Sequence, residues 1–158
     1  MPSKPVEQLL KEKKIYEVIN QKLVQSAPDI TIEQAVTLMQ ENRSGYIVVA
    51  ENRKVVGVLT ETDITQKVLG RKIDWKTPIR EVMVREPKVL SPKDTVGDAI
   101  DLMSQGRFYH LPLVDEQGEL CGVLSVRTLI RFLAEFYPTE VYNLPPNPNQ
   151  IMENREGG

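Results

Sequence analysis

The chain has 158 residues, of which 41% are hydrophobic and 27% charged, and its formal net charge is −2. These values fit one compact domain or a tight pair of small ones. The small, mixed charge argues against a nucleic-acid-binding protein, which would carry a basic patch or stripe. The apolar runs are too short to span a bilayer, and no apolar signal stretch follows the N-terminus. We therefore expect a soluble, cytoplasmic protein.

The first half of the chain predicts helices and strands in alternation. Val6, Leu9 and Leu10 have helical spacing at the start of residues 5–20. The elements that follow are a helix over 31–42, strands over Tyr46–Ala50 and Val55–Leu59, and a helix over Thr60–Leu69 with Thr60 or Thr62 as its cap.

The second half predicts the same order of elements. Ile79, Val82 and Met83 indicate a short helix in the joining segment 70–87. Then come a strand over Lys88–Leu90, a helix over 95–105, strands over Leu111–Val114 and Leu120–Leu124, and a helix over 127–137. Pro112 assigns part of its strand to an edge or to the strand's start.

The two halves repeat one another. TIEQAVTLM (Thr31–Met39) recurs 64 residues later as TVGDAIDLM, and GVLT (Gly57–Thr60) recurs 65 residues later as GVLS. Two copies are too few for a solenoid, so they predict a pseudo-symmetric pair. Each copy reads strand, helix, strand, strand, helix, and is too small to be stable alone. We therefore expect an α+β fold in which two β-α-β-β-α repeats pack face to face.

These patterns divide the chain into five parts. They are an N-terminal helix and lead-in segment (1–24), the first repeat (25–70), a connector (71–86), the second repeat (87–137) and a Pro-rich C-terminal tail (138–158).

The end of the predicted strand Val55–Leu59 carries a candidate binding site, the first turn (Gly57–Asp63). A helix N-terminus after Thr60 offers free N–H groups and a hydroxyl to an anion. Asp63 lies one helical turn away, where a carboxylate can accept hydrogen bonds from a vicinal diol such as ribose. The alternative interpretation is a capping box, in which Thr60 caps the helix and Asp63 satisfies backbone donors.

The equivalent second turn (Gly122–Thr128) departs from this pattern. Ser125 keeps the hydroxyl, Arg127 adds a cation that could meet a phosphate, and Thr128 replaces the carboxylate. We therefore expect one competent site and one degraded or repurposed site.

Three motifs resemble the tandem CBS-domain pair, or Bateman module. They are SPKDTV at 91–96, HLPLVD at 110–115 and the G-apolar-apolar-[ST]-x-x-D turn at 57–63. The resemblance covers roughly residues 5–137. It implies a regulatory protein that binds an adenosine-containing ligand such as AMP, ADP, ATP or S-adenosylmethionine, without a resident cofactor or metal.

The resemblance also implies a composite cleft between the repeats. Its residues would be Thr60, Thr62, Asp63, Lys88, Val89, Tyr109, His110 and Pro112, and the degraded second cleft would contain Ser125, Arg127 and Thr128. Tyr109 would stack on a base or serve only in packing. His110, the single histidine, would contact the ligand or be structural.

We do not expect an enzyme. One histidine and one cysteine, Cys121, form no nucleophile–base pair and no zinc site, and Cys121 is expected to be buried and inert. Two functions remain open. The first is a nucleotide sensor that signals to a partner protein, and the second is a structural or protein-interaction CBS pair without a nucleotide site. Phe132, Leu133 and Phe136 exceed what one helix face buries, which predicts a homodimer.

Overall fold

A computed structural model of the chain describes residues 6–19, 22–106 and 108–136. The predicted tail 138–158 and the last residue of the predicted helix 127–137 lie outside the described residues.

The described elements follow the predicted order. The first half contains α1 (Val6–Glu12), a 3₁₀ turn (Ile15–Glu17), β1 (Gln25–Ser26), α2 (Ile32–Asn42), β2 (Tyr46–Glu51), β3 (Lys54–Thr60) and α3 (Glu61–Asp63), which continues as π-helical turns over Ile64–Leu69. The second half contains a 3₁₀ turn (Ile79–Glu81), β4 (Val84–Arg85), α4 (Val96–Gly106), β5 (His110–Val114), β6 (Leu120–Ser125) and α5 (Val126–Phe136).

The repeat is visible in the way equivalent helices begin. Thr31 caps α2 by accepting from the Gln34 N–H at 3.1 Å, and the Gln34 side chain accepts from the Thr31 N–H at 2.9 Å. Thr95 and Asp98 make the same reciprocal pair at the start of α4, at 3.1 and 3.0 Å. Such boxes satisfy helix donors that would otherwise be unpaired. Both helices therefore begin in the same way, at a threonine paired with the side chain three residues later.

The strands form two sheets. The first has the order β1-β2-β3-β4, with β1 parallel to β2 and the other pairs antiparallel. The second is the antiparallel hairpin β5-β6. At the turn between β2 and β3, Asn52 and Arg53 both have positive φ, 51° and 66°, as a tight two-residue hairpin turn requires.

The predicted strand Lys88–Leu90 is reduced to one parallel bridge between Leu90 and Leu113. In the first repeat the Val48 N–H donates to the Val24 carbonyl at 2.9 Å. The equivalent donor position in the second repeat is Pro112, which has no N–H. The ladder therefore stops at Leu90. Pro112 lies, as predicted, in an edge strand, since β5 belongs to a two-stranded sheet, and its side chain is buried.

The segment that precedes each repeat pairs with the other repeat. The Ile15 N–H donates to the Asp94 carbonyl and the Val96 N–H donates to the Lys13 carbonyl, both at 2.9 Å. In the same way, the Ile79 N–H donates to the Ile30 carbonyl at 2.9 Å. Ile15 is accordingly buried in the core of the second repeat and Ile79 in that of the first. The lead-in segment and the connector thereby hold the two repeats together.

The two hairpins also contact each other along the seam between the repeats. The Leu120 N–H donates to the Arg53 carbonyl at 2.8 Å, and the Lys54 ammonium donates to the Gln117 carbonyl. Val123 of β6 is buried in the core of the first repeat. These contacts join the hairpin loops at the starts of β3 and β6, at the opposite ends of these strands from the two turns.

Candidate functional site

The first turn is a complete capping box. Oδ2 of Asp63 accepts from the Thr60 N–H at 2.9 Å and from the Thr60 hydroxyl at 3.1 Å, and the Asp63 N–H approaches Thr60 Oγ1 at 3.4 Å. Asp63 is 7% exposed. The capping interpretation is therefore present in the structure. It leaves Oδ1 on the other side of the carboxylate for further partners.

Lys67 occupies that other side. Its Nζ lies 3.1 Å from Asp63 Oδ1 and donates to the Val82 carbonyl at 2.8 Å. Val82 follows the 3₁₀ turn Ile79–Glu81 and is buried. The carboxylate of the first turn is thus linked, through one ammonium, to the backbone of the connector.

The helix after the first turn is π-helical over Ile64–Leu69, and the Gly70 N–H closes it by donating to the Thr65 carbonyl. Isolated π-helical turns are rare and recur at functional sites. Thr62 is exposed one residue before Asp63. The first turn therefore presents Thr62 to solvent while it keeps Asp63 inside.

The second turn has a neutral version of the same cap. The Thr128 N–H donates to Ser125 Oγ at 3.2 Å, and the two hydroxyls lie 3.1 Å apart. Both residues are buried. The position equivalent to Lys67 is Phe132, which packs against Leu9 of α1. Neither a carboxylate nor an ammonium is therefore present at the equivalent positions.

Arg127 is placed on the outer face of α5. It lines an open groove of ≈ 470 Å³ together with Ile130, Arg131, Ala134 and Glu135. Its guanidinium is exposed there, on the face of the helix that also carries Ile130.

The remaining predicted residues lie along β5 and the segment beside it. Lys88, Val89 and Tyr109 are exposed, whereas Pro112 is buried. The Tyr109 carbonyl accepts the first N–H of α5, from Val126, at 3.0 Å. The backbone of this group of residues is therefore joined to the second turn.

A ring stack connects this group to the first turn. The rings of Tyr46 and His110 stack with centroids 4.8 Å apart. Tyr46 is the cross-strand partner of Thr60, and His110 is the cross-strand partner of Ser125. Burial lowers the pKa of His110, which favours the neutral imidazole. The stack brings the end of β3 next to the β5 residues of the predicted composite cleft.

Sequence reasoning did not identify Tyr46 or Lys67. A signal existed for both. Tyr46 occupies in the first repeat the position that His110 occupies in the second, and Lys67 follows Asp63 at the i, i+4 spacing that allows an ion pair.

The expectation that Cys121 is buried is wrong. The residue is exposed at the surface of β6, where its Sγ lies 3.4 Å from the Leu113 carbonyl. Partial desolvation, followed by the charge of Asp115, raises the pKa of the thiol. The thiol is therefore held in its protonated, weakly nucleophilic form.

Within residues 6–19, 22–106 and 108–136, no three His, Cys, Asp or Glu side chains are grouped closely enough to hold a metal ion. No helix of the described chain is both long and apolar enough to cross a membrane.

A family model for the CBS domain matches this chain twice, at residues 15–70 and 79–135. The chain belongs to the CBS-domain family. Both matches begin at a 3₁₀ turn, Ile15–Glu17 in the first and Ile79–Glu81 in the second. The predicted α+β fold of two CBS repeats packed as a Bateman module is confirmed.

Known proteins of the family resemble much of the chain. An uncharacterised 17.7 kDa protein of Acidianus ambivalens is 33% identical over 78% of this chain and 75% of its own. The CBS domain-containing protein YhcV of Bacillus subtilis is 35% identical over 65% of this chain and 73% of its own. A CBS domain protein of Pyrobaculum aerophilum, solved in complex with AMP, is 26% identical, with a TM-score of 0.70 over 80% of this chain and 99% of that one.

Enzymes also match, but only in part. The inosine-5′-monophosphate dehydrogenase of Aquifex aeolicus is 27% identical to the chain, which covers 21% of that enzyme. The similarity to enzymes is therefore a similarity of CBS domains.

Proposed function

We propose that the chain is a non-enzymatic, cytoplasmic regulatory module. It binds an adenosine-containing ligand of the AMP, ADP or ATP class in the cleft between its repeats and signals the bound state to a partner protein. The observation that carries the proposal is the first turn, where Thr60 and Asp63 keep the hydroxyl–carboxylate pair intact beside the Tyr46–His110 stack. The AMP-bound Pyrobaculum relative supports the ligand class.

The residues of the composite cleft would divide the ligand between them. Thr60 and Thr62 supply hydroxyls to a phosphate at a helix N-terminus. Asp63 accepts from the ribose diol. On the opposite side, exposed Tyr109 offers an aromatic face to the base, next to the single histidine of the chain.

Lys88, Val89 and Pro112 complete the side of the cleft that holds the base. Because Pro112 cannot donate to the Lys88 carbonyl, the chain at Lys88 and Val89 is not drawn into the sheet and both residues stay exposed. Exposed backbone at this place suits hydrogen bonding to the polar edge of a purine.

The second cleft should bind nucleotide more weakly. Ser125 and Thr128 bond to each other, and Arg127 is directed to the outer groove of α5. A diol there would meet one neutral hydroxyl in place of a carboxylate, and hydrogen bonds to charged groups are the stronger kind. One strong site per chain is the expected stoichiometry.

The chain should also form a homodimer through the helices that follow the two turns. Leu69 is 56% exposed and Ile130 is 60% exposed, and Phe136 is also exposed. Phe132 and Leu133, which we expected to contribute, pack in the same cluster as Leu9 within the chain. The apolar side chains of a dimer interface would thus be Leu69, Ile130 and Phe136, and light scattering that reports a monomer would exclude this.

Calorimetric titration with AMP, ADP, ATP and S-adenosylmethionine tests the proposal. At least one should bind at one strong site per chain and raise the thermal midpoint, because a ligand that binds only the native state stabilises it. Absence of binding by all four at millimolar concentration would reject the sensor.

Such a result would favour the alternative, a structural or protein-interaction CBS pair without a functional nucleotide site. One observation supports that alternative. Both oxygens of Asp63 already have protein partners, Thr60 on one side and Lys67 on the other.

A further inference from the structure

We propose that Lys67 is a positioning residue that orients Asp63 for ribose recognition. Its ammonium sets the rotation of the carboxylate and anchors it to the backbone of the connector. The inference rests on the proposed nucleotide-binding function and concerns the selectivity of the same site for ribose over deoxyribose.

The Asp63 carboxylate has capacity for further hydrogen-bond donors. An ionised aspartate offers about four lone-pair positions on its two oxygens. Thr60 uses two of them on Oδ2, through its N–H at 2.9 Å and its hydroxyl at 3.1 Å, and Lys67 uses one on Oδ1, at 3.1 Å. One position on Oδ1 remains, and rotation of the Thr60 hydroxyl releases another. The carboxylate can therefore accept both hydroxyls of a diol without giving up Lys67.

Lys67 restrains the orientation of the Asp63 carboxylate. The final torsion of an aspartate side chain is broad and weakly restrained. Because the carboxylate is planar, both of its oxygens turn together about this torsion; Thr60 restrains the torsion through Oδ2, and Lys67 adds a second restraint from the opposite side through Oδ1. Because Lys67 donates to Oδ1, the plane of the carboxylate is defined before a ligand arrives. Such preorganisation spares the ligand the cost of ordering the site.

Lys67 is itself anchored to the backbone of the connector. A lysine side chain is flexible, with three rotatable donors on a four-carbon stem. Here the ammonium also donates to the Val82 carbonyl at 2.8 Å, and the Val82 N–H donates to the Ile79 carbonyl at 3.0 Å. Val82 and Ile79 are buried, so this anchor is part of the core. The ammonium is therefore held from both sides.

The second turn lacks both members of this ion pair. Where the first turn has Asp63 and Lys67, the second has Thr128 and Phe132. Phe132 points into the apolar contact with Leu9 and cannot orient a polar group. The carboxylate and its lysine are thus both present in one repeat and both replaced in the other, as expected if they act as a unit.

The test compares AMP with 2′-deoxy-AMP by calorimetry for the wild type, Lys67→Met and Lys67→Arg. The wild type should prefer AMP. Lys67→Met should weaken AMP binding by roughly 3- to 10-fold, the range of one hydrogen bond, and leave 2′-deoxy-AMP within about twofold. The ratio of the two affinities should shrink, and Lys67→Arg should restore most of it.

The matched control is Lys76→Met, which removes an exposed lysine of the connector and should leave both affinities unchanged. Urea unfolding of each variant separates loss of fold from loss of selectivity. If Lys67→Met does not fold, Lys67→Gln provides the same comparison with a neutral side chain of polar character.

The outcomes separate the two proposals. Wild-type protein that binds no nucleotide would reject the proposed function and this inference with it. Wild-type protein that binds AMP, followed by a Lys67→Met variant with an unchanged AMP to 2′-deoxy-AMP ratio, would overturn only the role of Lys67. Failure of Lys67→Arg to restore the ratio would do the same.

Discussion

The two turns of this protein have the same backbone arrangement. The pair of side chains that caps the helix includes a charged group in the first turn and only neutral groups in the second. In the first, a buried carboxylate caps its helix and binds an ammonium. In the second, two neutral hydroxyls lie at the start of the helix, and the residue equivalent to the lysine is Phe132, which packs against Leu9. A cap requires only an acceptor near the first helix donors, and both pairs supply one. The charge of Asp63 is therefore not needed for capping, which supports our proposal that the first turn is the one that binds a ligand.

The same comparison extends to the helices that follow. The first turn leads into π-helical geometry over Ile64–Leu69, whereas α5 is regularly α-helical. Lys67 reaches both Asp63 and the Val82 carbonyl from that π-helical segment. The irregular helix and the ion pair thus occur together in one repeat. The two repeats therefore share their packing, but only the first has an ion pair at these two positions.

Asp63→Asn should have the largest effect on this difference. Asparagine keeps the size of the side chain and one oxygen for the cap, but it removes the charge that a diol and Lys67 would meet. Nucleotide binding should weaken by about 1.5–3 kcal/mol, or roughly 10- to 150-fold, as measured by calorimetry. We choose asparagine over alanine because alanine has no side-chain oxygen. Alanine would therefore also remove the cap at a buried position.

The control for Asp63→Asn is Thr128→Val, the nearly isosteric change at the equivalent position of the second turn. It should leave affinity at the first site within about twofold of wild type, since each turn is capped independently. Equal losses from the two substitutions would show that the repeats are functionally equivalent, contrary to our proposal.

The glycines that begin the two turns should differ in their tolerance of a methyl group. A Cβ on Gly57 would overlap Met83 Sδ and would lie 3.0 Å from the Val84 carbonyl oxygen, because β4 pairs with β3 there. A Cβ on Gly122 would meet Leu113 Cδ1 at 3.4 Å, an ordinary contact.

Gly57→Ala should therefore lower the free energy of unfolding by about 1–3 kcal/mol, the usual cost of overpacking. Gly122→Ala should stay within about 0.5 kcal/mol of wild type, as a substitution without a clash does. Urea unfolding of the two variants measures the difference. A Gly57→Ala variant as stable as wild type would mean that β4 moves away from β3 without cost.

Much of the fold was predictable because its determinants are local. The caps at Thr31, Thr60 and Thr95, the hairpin strands and the duplication can all be read from short stretches of residues. The fourth strand was not predictable, because Val84 and Arg85 are exposed and only their position beside β3 makes them a strand.

Non-local backbone contacts also have no signature in residue type. The pairing of Lys13 and Ile15 with the start of α4 is made by main-chain groups that every residue has. At the site, the Thr60–Asp63 pair followed from its spacing. The Lys67–Val82 contact and the Tyr46–His110 stack required knowledge of which chain segments meet.

The smallest expected effect concerns the Tyr46–His110 stack at the seam, where one repeat contributes a phenol and the other an imidazole. Burial lowers the pKa of His110 in the folded protein below its ordinary value of about 6.5. Between that lowered pKa and about 6.5, the unfolded chain binds more protons than the folded one. The stability that the neutral imidazole contributes should therefore be fully present above about pH 6.5. The free energy of unfolding should fall as the pH decreases through this window.

His110→Phe keeps an aromatic ring against Tyr46 but cannot titrate, so its stability should decline less between about pH 7 and 5 than that of the wild type. Urea unfolding at a series of pH values compares the two slopes. Identical slopes would show that protonation of His110 does not oppose the packing of the two repeats, and that the seam tolerates a charged imidazole.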